Sequence, residues 1–223
     1  LIKKQLKKHG IQASQLKFTK AAVKDLIESY TREAGVRTLE RSIASICRKV
    51  AKMIVSDGEF TSYTVKPENL EELLGPRKYT RDQLSGEDTI GLVNGLAWTS
   101  VGGELLPIEV AVMEGTGKIQ LTGSLGDVMK ESAGAAITCI RTRAGALGIS
   151  PKFYEKCDIH IHAPEGAVPK DGPSAGIAMA TAITSALCGI PVRHDVAMTG
   201  EITLQGRVLP IGGLKEKSMA AYK

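Results

Sequence analysis

The sequence KDGPSAGIAMA, residues 170–180, places an acidic residue, a glycine, a proline and a serine directly before an apolar run. Proline suits the first turn of a helix, because its φ is preset and its missing N–H would be unpaired there anyway. We therefore predict a helix from Pro173, with Asp171 as its cap and Ser174 in its first turn. A serine at this position lies beside free backbone N–H groups and the positive end of the helix dipole, which stabilise an oxyanion.

Two glycines flank this serine and bear on what can approach it. Gly172 and Gly176 carry no side chain, so we expect them to let a substrate backbone come close to Ser174. The alternative interpretation of the stretch is an ordinary capped helix that happens to contain a serine.

A serine hydroxyl at its own pKa is a poor nucleophile and needs a base. GPSAG matches the G-x-S-x-G elbow of α/β-hydrolases, in which a histidine follows the serine. However, His194 is the only histidine after Ser174, and too little chain remains for the missing strands. The other candidates are Lys215 and Lys217, because burial lowers the pKa of a lysine and leaves a neutral amine. Spacing alone leaves both lysines open. A distance of about 2.6–3.2 Å between the hydroxyl oxygen and the amine nitrogen would support a working pair, and sites without a ligand can be looser.

The composition of the 223 residues predicts one or two globular domains, with 43% hydrophobic and 24% charged residues. No apolar run is long enough to span a membrane. The four cysteines lack C-x-x-C spacing, so we interpret them as reduced thiols of a cytoplasmic protein. The first 80 residues hold 16 Lys and Arg against 9 Asp and Glu. DNA binding by this basic part is possible, but no interleaving of aromatic and basic residues supports it.

Two amphipathic helices are predicted in the first part of the chain. Thr19 is placed to cap the first helix, and Gly35 is placed to end it. The second helix has an apolar face whose members recur every three or four residues: Leu39, Ile43, Ile46, Val50 and Ile54. We predict a small α-helical subdomain over residues 1–74 and a linker over residues 75–88.

Beyond the linker, residues 89–223 alternate in the manner of strands. IGLVNGLAWTS, LLPIEVAVME and KIQLTG are divided by Gly-rich turns, and CDIHIHA places His160 and His162 on one side of a strand. Helical stretches separate these strands, a strand pair follows around DVAMTGEITLQGRVLPIGG, and a last helix begins near Leu214. This order predicts an α+β domain with an antiparallel or mixed sheet.

Two further motifs suggest chemistry that their surroundings do not support. GTGK, residues 115–118, resembles the end of a phosphate-binding loop, but Ile119 follows the lysine and Val112 stands where the leading glycine belongs. We interpret it as a hairpin turn, so the chain carries no complete ATP site. His160 and His162 have no third ligand at a familiar metal spacing, and we expect a packed or hydrogen-bonded pair near the site of Ser174.

Three stretches together carry a resemblance to a known family. PEGAVPKDGPSAG, DVAMTGEITLQGRVLPIGGLKEK and YTREAGVRTLER resemble the bacterial Lon family of ATP-dependent proteases, in family order over nearly the whole chain. The resemblance implies a serine-lysine dyad, with Ser174 as nucleophile, Lys217 as general base and Thr199 as hydrogen-bond partner of the base. It also implies supporting roles for three further residues: Asp171, His160 and Glu109. Trp98 is predicted as a buried core indole.

For residues 1–74 the resemblance implies the lid subdomain of an AAA+ ATPase module, with Arg37 as the arginine that senses the nucleotide phosphates. The rest of that module is absent, and the last helix stops at Lys223, so we expect a fragment that binds no cofactor itself. ATP and Mg²⁺ would act in the full-length protein, which is expected to form a hexamer and to degrade unfolded or damaged proteins. The fragment would cleave only peptides or unstructured chains. A third possibility is a non-catalytic regulatory fragment whose lid subdomain binds a partner.

Overall fold

The computed structural model describes residues 1–56, 60–79, 86–164 and 168–222. The chain divides into two compact units, Leu1–Asp82 and Gln83–Lys223. Part of the predicted linker, residues 80–85, lies outside the described residues, as does Lys223 at the end of the last predicted helix. In the parts of the chain that are described, no helix combines the length and the apolar character needed to cross a bilayer.

The N-terminal unit is mainly helical and contains a small two-stranded parallel sheet. In chain order its elements are α1 (Ile2–Lys8), β1 (Leu16–Phe18), α2 (Lys20–Tyr30), α3 (Arg37–Ser56), β2 (Tyr63–Val65), a 3-10 turn (Pro67–Asn69) and α4 (Leu70–Leu74). The predicted apolar face of α3 is confirmed, since Ile43, Ile46 and Val50 are buried in the core of this unit. Only α2 and α3 were foreseen, because the other elements are too short to leave a periodic pattern.

Helix α2 begins where the sequence predicts and ends earlier than predicted. Thr19 is its cap, and its hydroxyl accepts a hydrogen bond from the N–H of Ala22 at 3.1 Å. The expectation that Gly35 ends the helix is wrong, because Thr31 already adopts extended backbone angles. The Thr31 hydroxyl donates to the carbonyl oxygen of Ile27 at 2.8 Å, which satisfies one of the acceptors at the helix end without a glycine.

The C-terminal unit is an α+β domain with a mixed sheet, as predicted. Its elements are β3 (Leu92–Thr99), β4 (Gly102–Glu114), β5 (Ile119–Thr122), α5 (Asp127–Arg143), α6 (Phe153–Lys156), β6 (Cys157–His162), a 3-10 turn (Pro173–Ala175), α7 (Gly176–Cys188), β7 (Ala197–Met198), β8 (Glu201–Ile202), β9 (Val208–Leu209) and α8 (Leu214–Ala221). The five-stranded sheet has the order β5-β6-β4-β3-β7, and β8 and β9 form a separate hairpin.

The two faces of this sheet receive different helices. Helix α7 packs against β3 and β4, and α5 packs against α7, so both cover the face that carries Ile108 and Ile161. Strand β6 alternates as predicted, with Ile159 and Ile161 buried and His160 and His162 less buried between them. Helix α8 contacts β3 and β4 near the turn that joins these two strands. The strand ends at that turn therefore lie close to two different helices.

The GTGK stretch is not the hairpin turn that the sequence suggested. Strand β4 pairs with β6 in antiparallel orientation, and β5 lies on the far side of β6 in parallel orientation. The chain therefore crosses β6 between β4 and β5. The loop N–H groups of Thr116, Gly117 and Lys118 donate to Asp158 Oδ1 at 2.8, 3.0 and 2.8 Å. A side-chain carboxylate thus occupies the backbone donors that a phosphate would need.

This carboxylate is expected to make stability depend on pH. The backbone donors hold the pKa of Asp158 below its ordinary value, so its stabilising effect is present at neutral pH and is lost as the pH falls through the lowered pKa. We expect Asp158→Asn to unfold at a lower temperature than the parent near neutral pH, with a difference that shrinks below about pH 4. Thermal unfolding followed by circular dichroism measures this difference. The exposed Asp127→Asn is the control, and an Asp158→Asn deficit that stays constant down to acid pH would contradict the account.

Candidate active site

A pocket of about 790 Å³ lies in the C-terminal unit, where the ends of β3 and β4 meet the 3-10 turn and α8. Ser174 and Lys217, which are far apart in the sequence, both line it. Its walls mix apolar side chains with a few polar ones, which is typical of ligand sites. This pocket is the candidate active site.

Ser174 is held by its own backbone as well as by its place before a helix. It is the central residue of the 3-10 turn that leads into α7, and the preceding Gly172 has a φ of 120°. The carbonyl oxygen of Ser174 accepts hydrogen bonds from Gly200 N at 2.8 Å and from Thr199 Oγ1 at 3.2 Å. The segment before β8 therefore fixes the position of the serine backbone.

Gly176 has a packing role in addition to the predicted role of admitting a substrate backbone to Ser174. A Cβ atom at this position would lie 2.9 Å from the backbone nitrogen of Ile202 and 3.1 Å from its side chain. Both distances are too short for ordinary contacts, so the first turn of α7 approaches β8 closely because residue 176 is glycine. Around Gly172 the space is open, which leaves room for a ligand backbone.

Burial separates the two lysines that the sequence left open. Lys215 is exposed, whereas Lys217 is only 4% exposed. Helix α8 lies so close to β4 that a Cβ atom on Gly103 would collide with the carbonyl oxygen of Glu216. Burial lowers the pKa of Lys217, because an apolar environment disfavours the charged ammonium.

Thr199 connects the lysine to the serine. Lys217 Nζ donates to Thr199 Oγ1 at 3.3 Å, and the same hydroxyl donates to the carbonyl oxygen of Ser174. Between the described residues no direct hydrogen bond joins Ser174 Oγ to Lys217 Nζ. The described contacts therefore link the lysine to the backbone of the serine through Thr199 and include no direct hydrogen bond between the two side chains.

Asp171 lines the same pocket, but it does not cap the helix that follows Ser174. Asp171 Oδ1 accepts from the backbone N–H groups of Met129 at 3.1 Å and Gly172 at 2.9 Å. Met129 is in the first turn of α5, whose cap position is Gly126. Since glycine has no side chain to accept a hydrogen bond, Asp171 serves as the cap of α5 from a distant part of the chain.

Trp98 is not a core residue, contrary to the prediction. Its side chain lines the pocket and is 61% exposed. The register of the sheet places it opposite Gly103, next to the turn between β3 and β4. The indole lies against Gly213, the residue before α8, and leaves most of its surface open to solvent.

His160 and Glu109 do not line the pocket that holds Ser174. Glu109 pairs in register with His162, and both histidines contact Thr122, with Thr122 Oγ1 at 2.8 Å from His160 Nε2 and 2.7 Å from His162 Nδ1. The two histidines are thus linked through the Thr122 hydroxyl rather than to each other, and neither lines the pocket of Ser174, near which the pair was expected. In the described parts of the chain, no third His, Cys, Asp or Glu joins them in a group able to hold a metal ion. The sequence reasoning missed Thr122, which only the pairing of β5 with β6 reveals.

His194 does not line the pocket either, and its ring is engaged elsewhere. His194 Nδ1 lies 2.8 Å from Asp88 Oδ1 at the surface. Lys170 does line the pocket, but its amine donates to the carbonyl oxygens of Gly123 at 3.3 Å and Val168 at 3.2 Å. The serine-histidine arrangement of an α/β-hydrolase therefore finds no support in the described residues.

Arg37, the predicted nucleotide sensor, belongs to the N-terminal unit. It is exposed and is the first residue of α3. The carboxylate of Glu33 caps this helix by accepting from the N–H groups of Thr38 at 2.9 Å and Leu39 at 3.0 Å. These bonds hold the pKa of Glu33 below its ordinary value. The role of Arg37 toward nucleotide phosphates stays a prediction.

Comparison with known proteins gives one consistent result. Residues 64–223 match the Lon protease (S16) C-terminal proteolytic domain, and residues 7–63 match the Lon protease AAA+ ATPase lid domain. The chain is 57% identical to Lon protease 1 of Bacillus subtilis, 55% to the Lon protease of Nitratidesulfovibrio vulgaris and 55% to that of Haemophilus influenzae, each over 100% of this chain. It spans 29%, 27% and 28% of these relatives, respectively.

The burial of Lys217 is expected to reduce stability. Because its pKa is lower in the folded chain, the unfolded chain binds more protons between the lowered pKa and about 10.4, so stability rises with pH across that window. We expect Lys217→Met to unfold at the same or a higher temperature than the parent near neutral pH, and this advantage to shrink toward pH 10. Thermal unfolding at a series of pH values tests this, with Lys215→Met as the exposed control. A Lys217→Met variant that is markedly less stable than Lys215→Met at every pH would contradict this prediction, because burial of the amine would then not lower the stability of the folded chain.

Proposed function

Because this chain belongs to the Lon protease family, we propose that it hydrolyses peptide bonds with Ser174 as nucleophile and Lys217 as general base. Family membership supports the general assignment as a protease. The proposal for the residues is supported above all by the burial of Lys217 in the pocket that Ser174 lines. A buried lysine without a carboxylate partner among the described residues is the arrangement that favours a neutral amine.

The first chemical step is attack on the peptide carbonyl. As Ser174 Oγ forms a bond to the carbonyl carbon, its proton passes to the neutral Lys217 Nζ. This transfer needs Ser174 Oγ within hydrogen-bond distance of Lys217 Nζ, so the proposal includes a rotation of the serine side chain toward the lysine. The oxyanion then forms beside the N-terminal end of α7, where helix N–H groups and the helix dipole favour negative charge.

The second step uses the same amine as an acid. The protonated Lys217 gives its proton to the leaving amine of the substrate, the C–N bond breaks, and an acyl-serine remains. Water then attacks the acyl carbon while the neutral Lys217 accepts a proton from it. The bond between this carbon and Ser174 Oγ breaks, Lys217 returns the proton to Ser174 Oγ, and the carboxylic acid product leaves. The amine of Lys217 can both accept and donate a proton because its lowered pKa lies closer to the working pH.

Thr199 would orient the base. Its hydroxyl has one hydrogen, which is donated to the carbonyl oxygen of Ser174, so its oxygen can only accept from Lys217. The amine therefore directs an N–H toward Thr199, and its lone pair stays available for the serine proton. Thr199 thus acts as a positioning residue rather than as a proton acceptor.

The activities of a whole protease of this family are further proposals, because this chain spans 27–29% of the length of its relatives. They comprise ATP- and Mg²⁺-dependent unfolding, assembly into a hexamer and degradation of unfolded proteins. Among the described residues, the loop most similar to a phosphate-binding loop gives three N–H groups to Asp158 and does not offer them to a phosphate. The proposed hydrolysis of the peptide bond involves no step through ATP.

Replacement of either member of the dyad tests the proposal. We expect Ser174→Ala and Lys217→Ala to lower kcat/KM for an unstructured fluorogenic peptide by about 10³-fold or more, because each removes an essential part of one unit. The parent should lose activity as the pH falls through the lowered pKa of Lys217. Lys215→Ala is the matched control and should retain activity. Full activity in Lys217→Ala would exclude lysine as the base.

Digestion of a stably folded protein tests the proposed limit of this chain. Because we propose that ATP-driven unfolding needs parts of the protein outside this chain, we expect casein or another unstructured substrate to be cleaved and a stable folded domain to survive, with or without MgATP. Gel electrophoresis over time measures both reactions. The Ser174→Ala variant controls for contaminating proteases, and ATP-stimulated loss of the folded domain in the parent alone would refute this expectation.

A further inference from the structure

A second cavity, of about 430 Å³, lies in the C-terminal unit between α5, α7 and the β8–β9 hairpin. It shares no lining residue with the pocket that contains Ser174. Its walls are largely apolar and include Ile140, Leu147, Ile177, Ala180, Ile190 and Ile202. The volume falls within the range of small-molecule sites, about 300–1,000 Å³.

The rim of this cavity is apolar as well. Ile190 is 62% exposed and Leu147 is 38% exposed, although both line the cavity. Exposed apolar side chains around a concave surface are typical of binding sites. An apolar chain entering here would therefore cover the rim as well as fill the interior.

Arg143 is the one charged residue that lines the cavity within the described chain. Its guanidinium donates to the carbonyl oxygens of Leu204, at 3.1 Å, and of Gln205 in the β8–β9 turn, which hold the group in place. Among the described residues it forms no ion pair with a carboxylate. A fixed positive charge without a counter-ion beside an apolar cavity is complementary to a ligand with one acidic group.

We propose that this cavity binds a small amphiphile, whose apolar chain fills the cavity and whose carboxylate pairs with Arg143. A neutral apolar molecule would leave the guanidinium without a counter-ion. A highly polar ligand such as a nucleotide would leave the apolar walls without contacts. The site is independent of peptide hydrolysis, so it can exist whether or not the proposed dyad is correct.

Octanoate is the probe, and octanamide of the same chain length is its neutral counterpart. Two measurements on the full 223-residue chain report binding: the rise in unfolding temperature, and the protection of Cys188 from alkylation by N-ethylmaleimide. Cys188 lines the cavity and is partly exposed, so an occupant should shield its thiol. We expect octanoate, used below its micelle-forming concentration, to produce both effects at concentrations at least tenfold lower than those that octanamide requires.

Three variants locate the site. Arg143→Gln should weaken octanoate binding at least tenfold, toward the level of octanamide, while Arg141→Gln should not, because Arg141 lies over the ring of Tyr154 outside the cavity. Thr181→Phe should abolish the binding of both probes by filling the cavity. If Arg143→Gln fails to fold, Thr181→Phe and the Cys188 protection still decide the question.

Three outcomes would overturn the proposal. The first is equal affinity for octanoate and octanamide, which would make the charge of Arg143 irrelevant. The second is octanoate binding that leaves Cys188 as reactive as before. The third is protection of Cys188 by raised protein concentration alone, which would identify a second copy of the chain as the occupant.

Discussion

Burying a lysine at the wall of a pocket is the constraint on which the candidate site depends. A lysine loses its favourable hydration when it is buried, so the folded chain must hold Lys217 in place by other contacts. The close approach of α8 to β4 at Gly103 provides one of them, and the hydroxyl of Thr199 provides the single polar partner described. The same hydroxyl reaches the backbone of Ser174, so the lysine and the serine are positioned by one group.

The rest of the C-terminal unit supports this arrangement from two sides of the sheet. Helix α7, which follows Ser174, packs against β3 and β4, and the glycine at position 176 permits its close contact with Ile202 of β8. Helix α8 brings Lys217 to the turn between β3 and β4. Asp171 joins the start of α5 to the loop before Ser174. The geometry of the candidate site therefore rests on contacts between elements that are distant in sequence.

The sequence predicted the structural features that depend on neighbouring residues along the chain. The apolar face of α3 and the alternation of β6 follow from helix and strand periodicity, and both are present. Lys215 and Lys217 could not be separated, because the helix period places them on different faces and only packing decides which face is buried. The cap formed by Asp171 and the crossing from β4 to β5 were missed, because each depends on partners about 40 residues away. Trp98 was misplaced for the same reason, since its exposure depends on where α8 begins.

The position of Trp98 has a practical consequence. It is the one tryptophan of the chain, and most of its indole faces solvent inside the pocket that Ser174 lines. Indole emission shifts to shorter wavelength when water is displaced from the ring. The protein therefore carries a built-in optical reporter of site occupancy, through which the entry of an unlabelled peptide can be followed without any attached dye.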